Sequence, residues 1–295
     1  MSPTLKGVLL SVAGTALFTP IFAAGKIADG AFPAVALMTM RYLGGFLTVA
    51  CIVLASQTPL SVLRSPNPAQ HFLRAILGTG GGVCTIHAAT IIPIAYATSI
   101  GLTEGLLIVA LAGLLLKERI TKLHWLAGIV AAAGAYLVIV QSLNDTGEGS
   151  ANVEGVLYAF LGAIFISLEV LLIKVLARRE HALGVLLHVN AFGTIIVLML
   201  SIIMIDWHTL SFSMLGPFIL LGPLAILAQF FNILAFRHAD AATLGPVSYS
   251  WVLFATLMGI LFFNEIPTLS AILGAGLIVT GGVIASRAQP TGNTP

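Results

Sequence analysis

Two ionisable side chains stand inside stretches that are otherwise apolar: Arg41 in Met40-Arg41-Tyr42 and Glu104 in Thr103-Glu104-Gly105. An ionisable group at the centre of a membrane helix costs about 2.5–3.5 kcal/mol on insertion scales, so it faces a partner or a wet cavity. The chemistry on offer is reversible binding, with Arg41 receiving a carboxylate and Glu104 receiving an amine or carrying a proton. A plainer reading joins the two as a buried ion pair that fixes the packing of their helices. Further polar residues fall at similar depth: Thr85, His87, Thr103, Ser167, Glu169, His188 and Asn190, then Gln229 and Asn232, which are three apart and share a helix face. Tyr249 and Trp251 offer rings that could stack on an aromatic or cationic solute, Trp251 being the better candidate. The residues expected to line a substrate site are therefore Arg41, Glu104, His87, Thr103, Asn190, Asn232, Trp251 and Tyr249, with Glu104 as the candidate proton-coupling residue. Each uncharged member also has a packing alternative, since hydrogen bonds between membrane helices contribute about 0.6–2 kcal/mol.

The elements that must hold these side chains follow from composition. Hydrophobic residues make up 58% of the 295, charged residues only 8%, and the mean hydropathy is +1.06. A soluble domain is about a quarter charged, so this chain cannot solvate the surface of a globule. Apolar stretches close to the roughly 20 residues that cross a bilayer recur from end to end. Breaks at Pro, Gly and charge clusters predict helices over 5–28, 32–55, 70–91, 94–116 and 121–141, a polar break from Ser142 to Asn152, and helices over 153–177, 181–204, 213–236, 240–263 and 267–286. Arg41 and Glu104 then lie nine or ten residues into their helices, roughly 14 Å at 1.5 Å per residue, near the midplane. The fifth and tenth helices bring almost nothing polar to that depth and read as outer supports. Pro20, Pro217 and Pro223 are expected kinks. Gly78, Gly80, Gly81 and Gly82 lack the Lys-Ser/Thr of a phosphate-binding loop and read, like Gly274, Gly281 and Gly282, as close helix packing.

Other function classes gain little support. The first apolar segment is too long for a signal-peptide core and reads as a retained helix. Cys51 and Cys84 sit in apolar segments with no metal-ligand spacing nearby, so neither a disulfide, a metal nor any other cofactor is expected. The formal net charge of +2 is spread in ones, twos and threes, which argues against nucleic acid as a partner. An enzyme embedded among lipids or isoprenoids would need a His-Glu-x-x-His, paired-Asp or Gly-x-Ser-x-Gly motif, and the sequence has none.

Charge and repetition give the topology. Lys6, Arg64, Arg74, Lys117, Arg119, Lys122, Arg178, Arg179, Arg237 and Arg287 all fall on one side if the N-terminus is inside, with Asp145, Glu148 and Asp206 opposite. Both termini are therefore expected in the cytoplasm. Leu5-Lys6-Gly7-Val8-Leu9 is echoed by Val153-Glu154-Gly155-Val156-Leu157, and Lys26 and Lys174 each follow the glycine by 19 residues. Leu116-Lys117-Glu118-Arg119 is echoed by Phe263-Asn264-Glu265-Ile266 within one residue of the same register. Two copies of an odd number of spans must enter the membrane with opposite sense.

These residues resemble the drug/metabolite transporter superfamily, in particular the EamA-type transporters, over essentially the whole chain. The resemblance rests on Lys26 and Lys174 late in the first helix of each repeat, Arg41 midway along the second, and Glu118 and Glu265 closing the fourth. It implies an all-α membrane protein with about ten helices, in two inverted five-helix repeats around a central cavity that opens alternately to either side. Fourteen residues before each closing Glu, where such proteins commonly carry Pro, stand Glu104 and Trp251. The seventh helix lacks a counterpart of Arg41 and has His188 and Asn190 nearby, so a symmetric frame is expected around an asymmetric site.

The resulting expectation is a first repeat over 1–142, an extracytoplasmic linker over 143–152, an inverted second repeat over 153–286 and a cytoplasmic tail over 287–295. The function expected is that of an inner-membrane secondary transporter, an exporter of a small polar or zwitterionic metabolite such as an amino acid or derivative. Protons are the candidate coupling ion, and an uncoupled facilitator is the alternative. Its partners would be the solute and membrane lipids, and its state a monomer or weak homodimer.

Overall fold

Backbone amides that cannot reach water must close their hydrogen bonds within the helix, and every regular element among the described residues is helical. The computed structural model describes residues 2–22, 24, 32–91, 100–146, 153–263 and 269–288. Lys26, Glu265 with its neighbours Asn264 and Ile266, and the tail beyond 288 lie outside them. Ten helices have 13 residues or more: α1 Pro3–Phe22, α2 Ala34–Ala55, α3 Pro68–Ile91, α4 Thr103–Leu115, α5 Lys122–Thr146, α6 Val153–Arg179, α7 Ala182–Met204, α8 Leu221–His238, α9 Ser250–Phe263 and α10 Leu269–Arg287. Among the described residues six spans are long and apolar enough to cross a bilayer, the last two, Ser213–His238 and Ala241–Phe262, running on through α8 and α9. Large apolar side chains point outward, Leu54 at 78% and Ile203 at 79% exposure among them, which suits a lipid-facing surface and no aqueous one.

The pairing of helices carries the inverted repeat into space. α1 packs on α8 and α6 on α3, α2 on α8 and α7 on α3, α4 on α6 and α9 on α1. Adding five to each helix number turns one member of each couple into the other, while α2 with α7 and α5 with α10 map onto themselves. α5 and α10, expected as outer supports, support each other across the pseudo-axis.

Three boundaries differ from expectation. The polar break begins later than Ser142, because α5 continues to Thr146. The helix expected over 213–236 is broken into one turn at Phe212–Leu215, a 3₁₀ segment at Gly216–Leu220 and then α8. Pro217 opens that segment, where its missing N–H leaves no intrahelical bond unmade. The span over 240–263 breaks in the same way, with Ala241–Leu244, a 3₁₀ segment Gly245–Tyr249 that Pro246 opens, and then α9.

Helices α2 and α8 meet backbone to backbone. A Cβ on Gly222 would stand 2.1 Å from the Gly44 carbonyl carbon, and one on Gly44 would stand 2.1 Å from the Ile219 oxygen. Neither backbone can retreat cheaply, so Gly222→Ala is expected to destabilise by about 1–3 kcal/mol, as overpacking does. A Cβ on Gly282 would meet nothing within 4 Å, so Gly282→Ala is the neutral control. Thermal melting in detergent separates the two, and equal midpoints would contradict this packing.

Candidate functional site

The interior charges are assembled where α3 crosses α6, and small residues allow that crossing. A Cβ on Gly81 would come within 2.7 Å of Ile166, and one on Gly162 within 2.7 Å of the Thr85 hydroxyl. One on Gly78 would stand 2.9 Å from the Glu169 carboxyl, so this glycine makes the room that carboxyl occupies. Arg74 on α3 then reaches Glu169 on α6, with Nε 3.3 Å from Oε1. Arg74 is only 2% exposed and Glu169 is 21% exposed, so the pair has a dry side and an open side. The Nη1 nitrogen of Arg74 is buried and has no hydrogen-bond partner among the described residues.

Glu104 stands in the first turn of α4, half-buried, and its charged neighbour is the Glu169 carboxylate. The start of α4 is tied down around it. The Tyr249 hydroxyl donates to the Leu102 carbonyl at 2.5 Å, and the Thr103 hydroxyl to the Ile100 carbonyl at 2.7 Å. Ser167 on α6 lies 2.7 Å from the Ala163 oxygen and 3.3 Å from the Glu104 backbone oxygen.

Arg41 and Glu104 do not pair. The Arg41 guanidinium lies over the Tyr42 ring at 4.1 Å and the Phe18 ring at 5.9 Å, and Glu104 faces a like charge. Matching depth on two helices does not bring side chains together, because depth fixes position along the axis and not rotation about it. The electrostatic neighbours of Arg74 include Arg41 and Tyr42 as well as Glu169. The four charges therefore run Arg41, Arg74, Glu169, Glu104, two positive and then two negative.

The remaining expected residues divide by surroundings. Asn190 is fully buried; its amide donates to the Leu186 carbonyl at 2.8 Å and to Gln229 Oε1 at 3.3 Å, while its own oxygen has no partner. Tyr249 is packed in a small core with Leu102, Ala131 and Val252, and Trp251 lies at its edge. Asn232 lies against Gly14, where a Cβ would stand 2.6 Å from its oxygen. His87 is exposed and meets Tyr158 edge-on at 4.6 Å. A cavity of about 670 Å³ lies away from the charge row, between α1 and α9, with Thr19 the one polar residue among Ala16, Pro20, Phe254, Met258 and other apolar neighbours.

A second polar cluster holds the junction of α8 and α9. Lys174, 3% exposed, donates to the Ala239 carbonyl and lies 3.2 Å from Asp240, which also takes Arg178 at 3.0 Å. The Glu118 carboxylate accepts the amides of Ala241 at 3.1 Å and Ala242 at 2.9 Å, satisfying first-turn donors that a helix cannot satisfy itself. His124 Nδ1 accepts the Thr121 amide at 3.0 Å, so the neutral ring carries its proton on Nε2, which faces the Thr243 hydroxyl at 3.2 Å. Lys174 and Glu118, the motif residues, are thus scaffold groups that clamp one junction from both halves.

Arg74, read from sequence as a cytoplasmic-side cation near the start of its helix, is only 2% exposed and packs against its neighbours. His71, one helical turn earlier, is also buried, with Nε2 2.8 Å from Glu180 and its ring stacked on His188 at 4.7 Å. Both lie in the first turns of the helix behind Pro68, where hydropathy alone does not say which way a side chain faces. The signal that could have found them is the 3–4 spacing of His71, Arg74 and Gly78, which puts all three on one face.

The sequence matches the EamA-like transporter family twice, over residues 5–140 and 153–287. It is 26% identical to a pseudopaline exporter of Pseudomonas aeruginosa over 96% of each chain. It is 27% identical to an S-adenosylmethionine uptake transporter of Rickettsia prowazekii over 74% of this chain and 72% of that one. A riboflavin transporter of Rhizobium johnstonii is 26% identical over 87% and 82% of the two chains. One crystal structure, 22% identical, shares the fold with a TM-score of 0.79 over 95% of this chain and 96% of that one.

Proposed function

Because the chain belongs to the EamA-like transporter family, it is an integral inner-membrane transporter of a small metabolite, and we propose that it exports a zwitterion of the amino-acid class by alternating access. The observation that carries this reading is the pair of unneutralised interior charges, Arg41 and Glu104, at the two ends of the charge row. A carboxylate at Arg41 and an ammonium at Glu104 would supply the counter-charges that the protein does not. The named relatives differ in cargo and direction, so the choice of a zwitterion rests on these charges.

In this reading 1–142 and 153–286 are inverted repeats, and the cross-packed set α3, α4 and α6 rocks against its counterpart α8, α9 and α1. The basic ends of the helices, with both termini, face the cytoplasm, and Glu104 carries the proton that drives export. Thermal denaturation of the purified protein against the 20 L-amino acids tests the substrate class, since a ligand that binds only the folded state raises its midpoint. At least one amino acid is expected to raise it in proportion to concentration, and no response to any would contradict the proposal. Arg41→Ala is expected to weaken that ligand about 10- to 100-fold, as loss of a charge-assisted hydrogen bond does. Its melting without ligand should barely move, because Arg41 touches rings and no carboxylate among the described residues.

A further inference from the structure

We propose that Arg74 and Glu169 are substrate-binding residues, the inner half of a four-charge row along which the transported zwitterion lies with its own charges reversed. The inference rests on the zwitterion reading above and adds two residues to it. A buried ion pair that served packing alone would satisfy its polar atoms on both sides. Arg74 does not: Nε reaches Glu169 at a long 3.3 Å, and Nη1 is buried without a partner among the described residues. Leaving so strong a donor unmade is costly unless another acceptor arrives in the working cycle. On the other side, Glu169 already has Glu104 as a like-charged neighbour, and two adjacent carboxylates call for a cation.

Connectivity gives the pair its role. Arg74 lies on α3 and Glu169 on α6, beside Glu104 on α4, so one tightly crossed set of helices carries the inner pair and Glu104, while Arg41 stands on α2. A carboxylate that takes Nη1 and Nε, and an ammonium that takes Glu169 beside Glu104, exchange the one long contact of the empty protein for complete ones. Glu169 thus stands in for the substrate carboxylate in the empty protein. Gly78 belongs to the same design, since any larger residue would push into the Glu169 carboxyl.

The test removes the inner pair and leaves the outer charges. Single loss of Arg74 or Glu169 would strand a buried charge, so the variant is Arg74→Gln/Glu169→Gln, which removes both at once. Melting midpoints are titrated with each amino acid found to stabilise the wild type and with its carboxamide, which lacks the carboxylate charge. The wild type is expected to prefer the free acid by about 10- to 100-fold, and the double variant, with Arg41 alone left to receive the carboxylate, by at least about fivefold less. Wild-type preference persisting in the double variant would overturn the role of Arg74 while leaving the zwitterion reading intact. No stabilisation of the wild type by any amino acid would overturn both. Should the double variant not fold, Arg74→Met/Glu169→Leu, which replaces the buried pair with apolar side chains, enters the same titration. A retained preference there would overturn the proposal equally.

Discussion

An Asp240→Ala variant is expected to melt well below the wild type, because it leaves the buried Lys174 ammonium with the Ala239 carbonyl as its one hydrogen-bond acceptor among the described residues and only the more distant Glu118 carboxylate as counter-charge. Removing one partner of a fully buried pair costs about 3–5 kcal/mol. Asp240 is itself 25% exposed, and solvent screens part of its contribution, so the lower end of that range, about 3 kcal/mol, is the expected loss. Lys174→Met should be milder. Asp240 then keeps Arg178 at 3.0 Å and its share of solvent, and the methionine stem fills the space of the lysine. The order of the two melting points is the informative quantity. If Lys174→Met melts lower, the contact to the Ala239 carbonyl, and not the burial of an unpaired charge, dominates the clamp.

Glu104→Gln is expected to abolish coupling while leaving exchange. The carboxylate has no cationic neighbour of its own among the described residues and faces Glu169, so it gains by taking up a proton when no ammonium is bound. A glutamine cannot carry that proton. A pH difference of one unit supplies about 1.4 kcal/mol per proton, enough for about tenfold accumulation at one-to-one coupling. In proteoliposomes the wild type should reach that accumulation and the variant should stop at equal concentrations, while still exchanging labelled for unlabelled solute. Accumulation by the variant equal to wild type would move the proton to another group.

Much of this architecture is legible in the sequence because a bilayer restricts the choices: an apolar run near 20 residues has only one regular way to cross. Lys174 and Glu118 stand out by their repeated register, and both prove to be clamps on the α8–α9 junction. Their partners do not stand out, since a backbone carbonyl or amide has no letter in a sequence. The 3₁₀ breaks before α8 and α9 are marked by Pro217 and Pro246, yet hydropathy runs through both without change. The charge row is the least legible feature. Arg74 reads as one more charge at a helix end, and only the tight crossing of α3 and α6 sets it against Glu169. Arg41 and Glu104 share a depth without sharing a direction. That distinction turns an expected ion pair into two separate unneutralised charges.

The central claim is that a small zwitterion crosses the membrane unchanged through this protein. Flux of the stabilising amino acid from liposomes containing the purified protein, followed by mass spectrometry on both sides, tests it most directly. Saturable release above that of empty liposomes is expected, with the released compound chemically identical to the one loaded. Release no faster than from empty liposomes, or recovery of an altered compound, would contradict it.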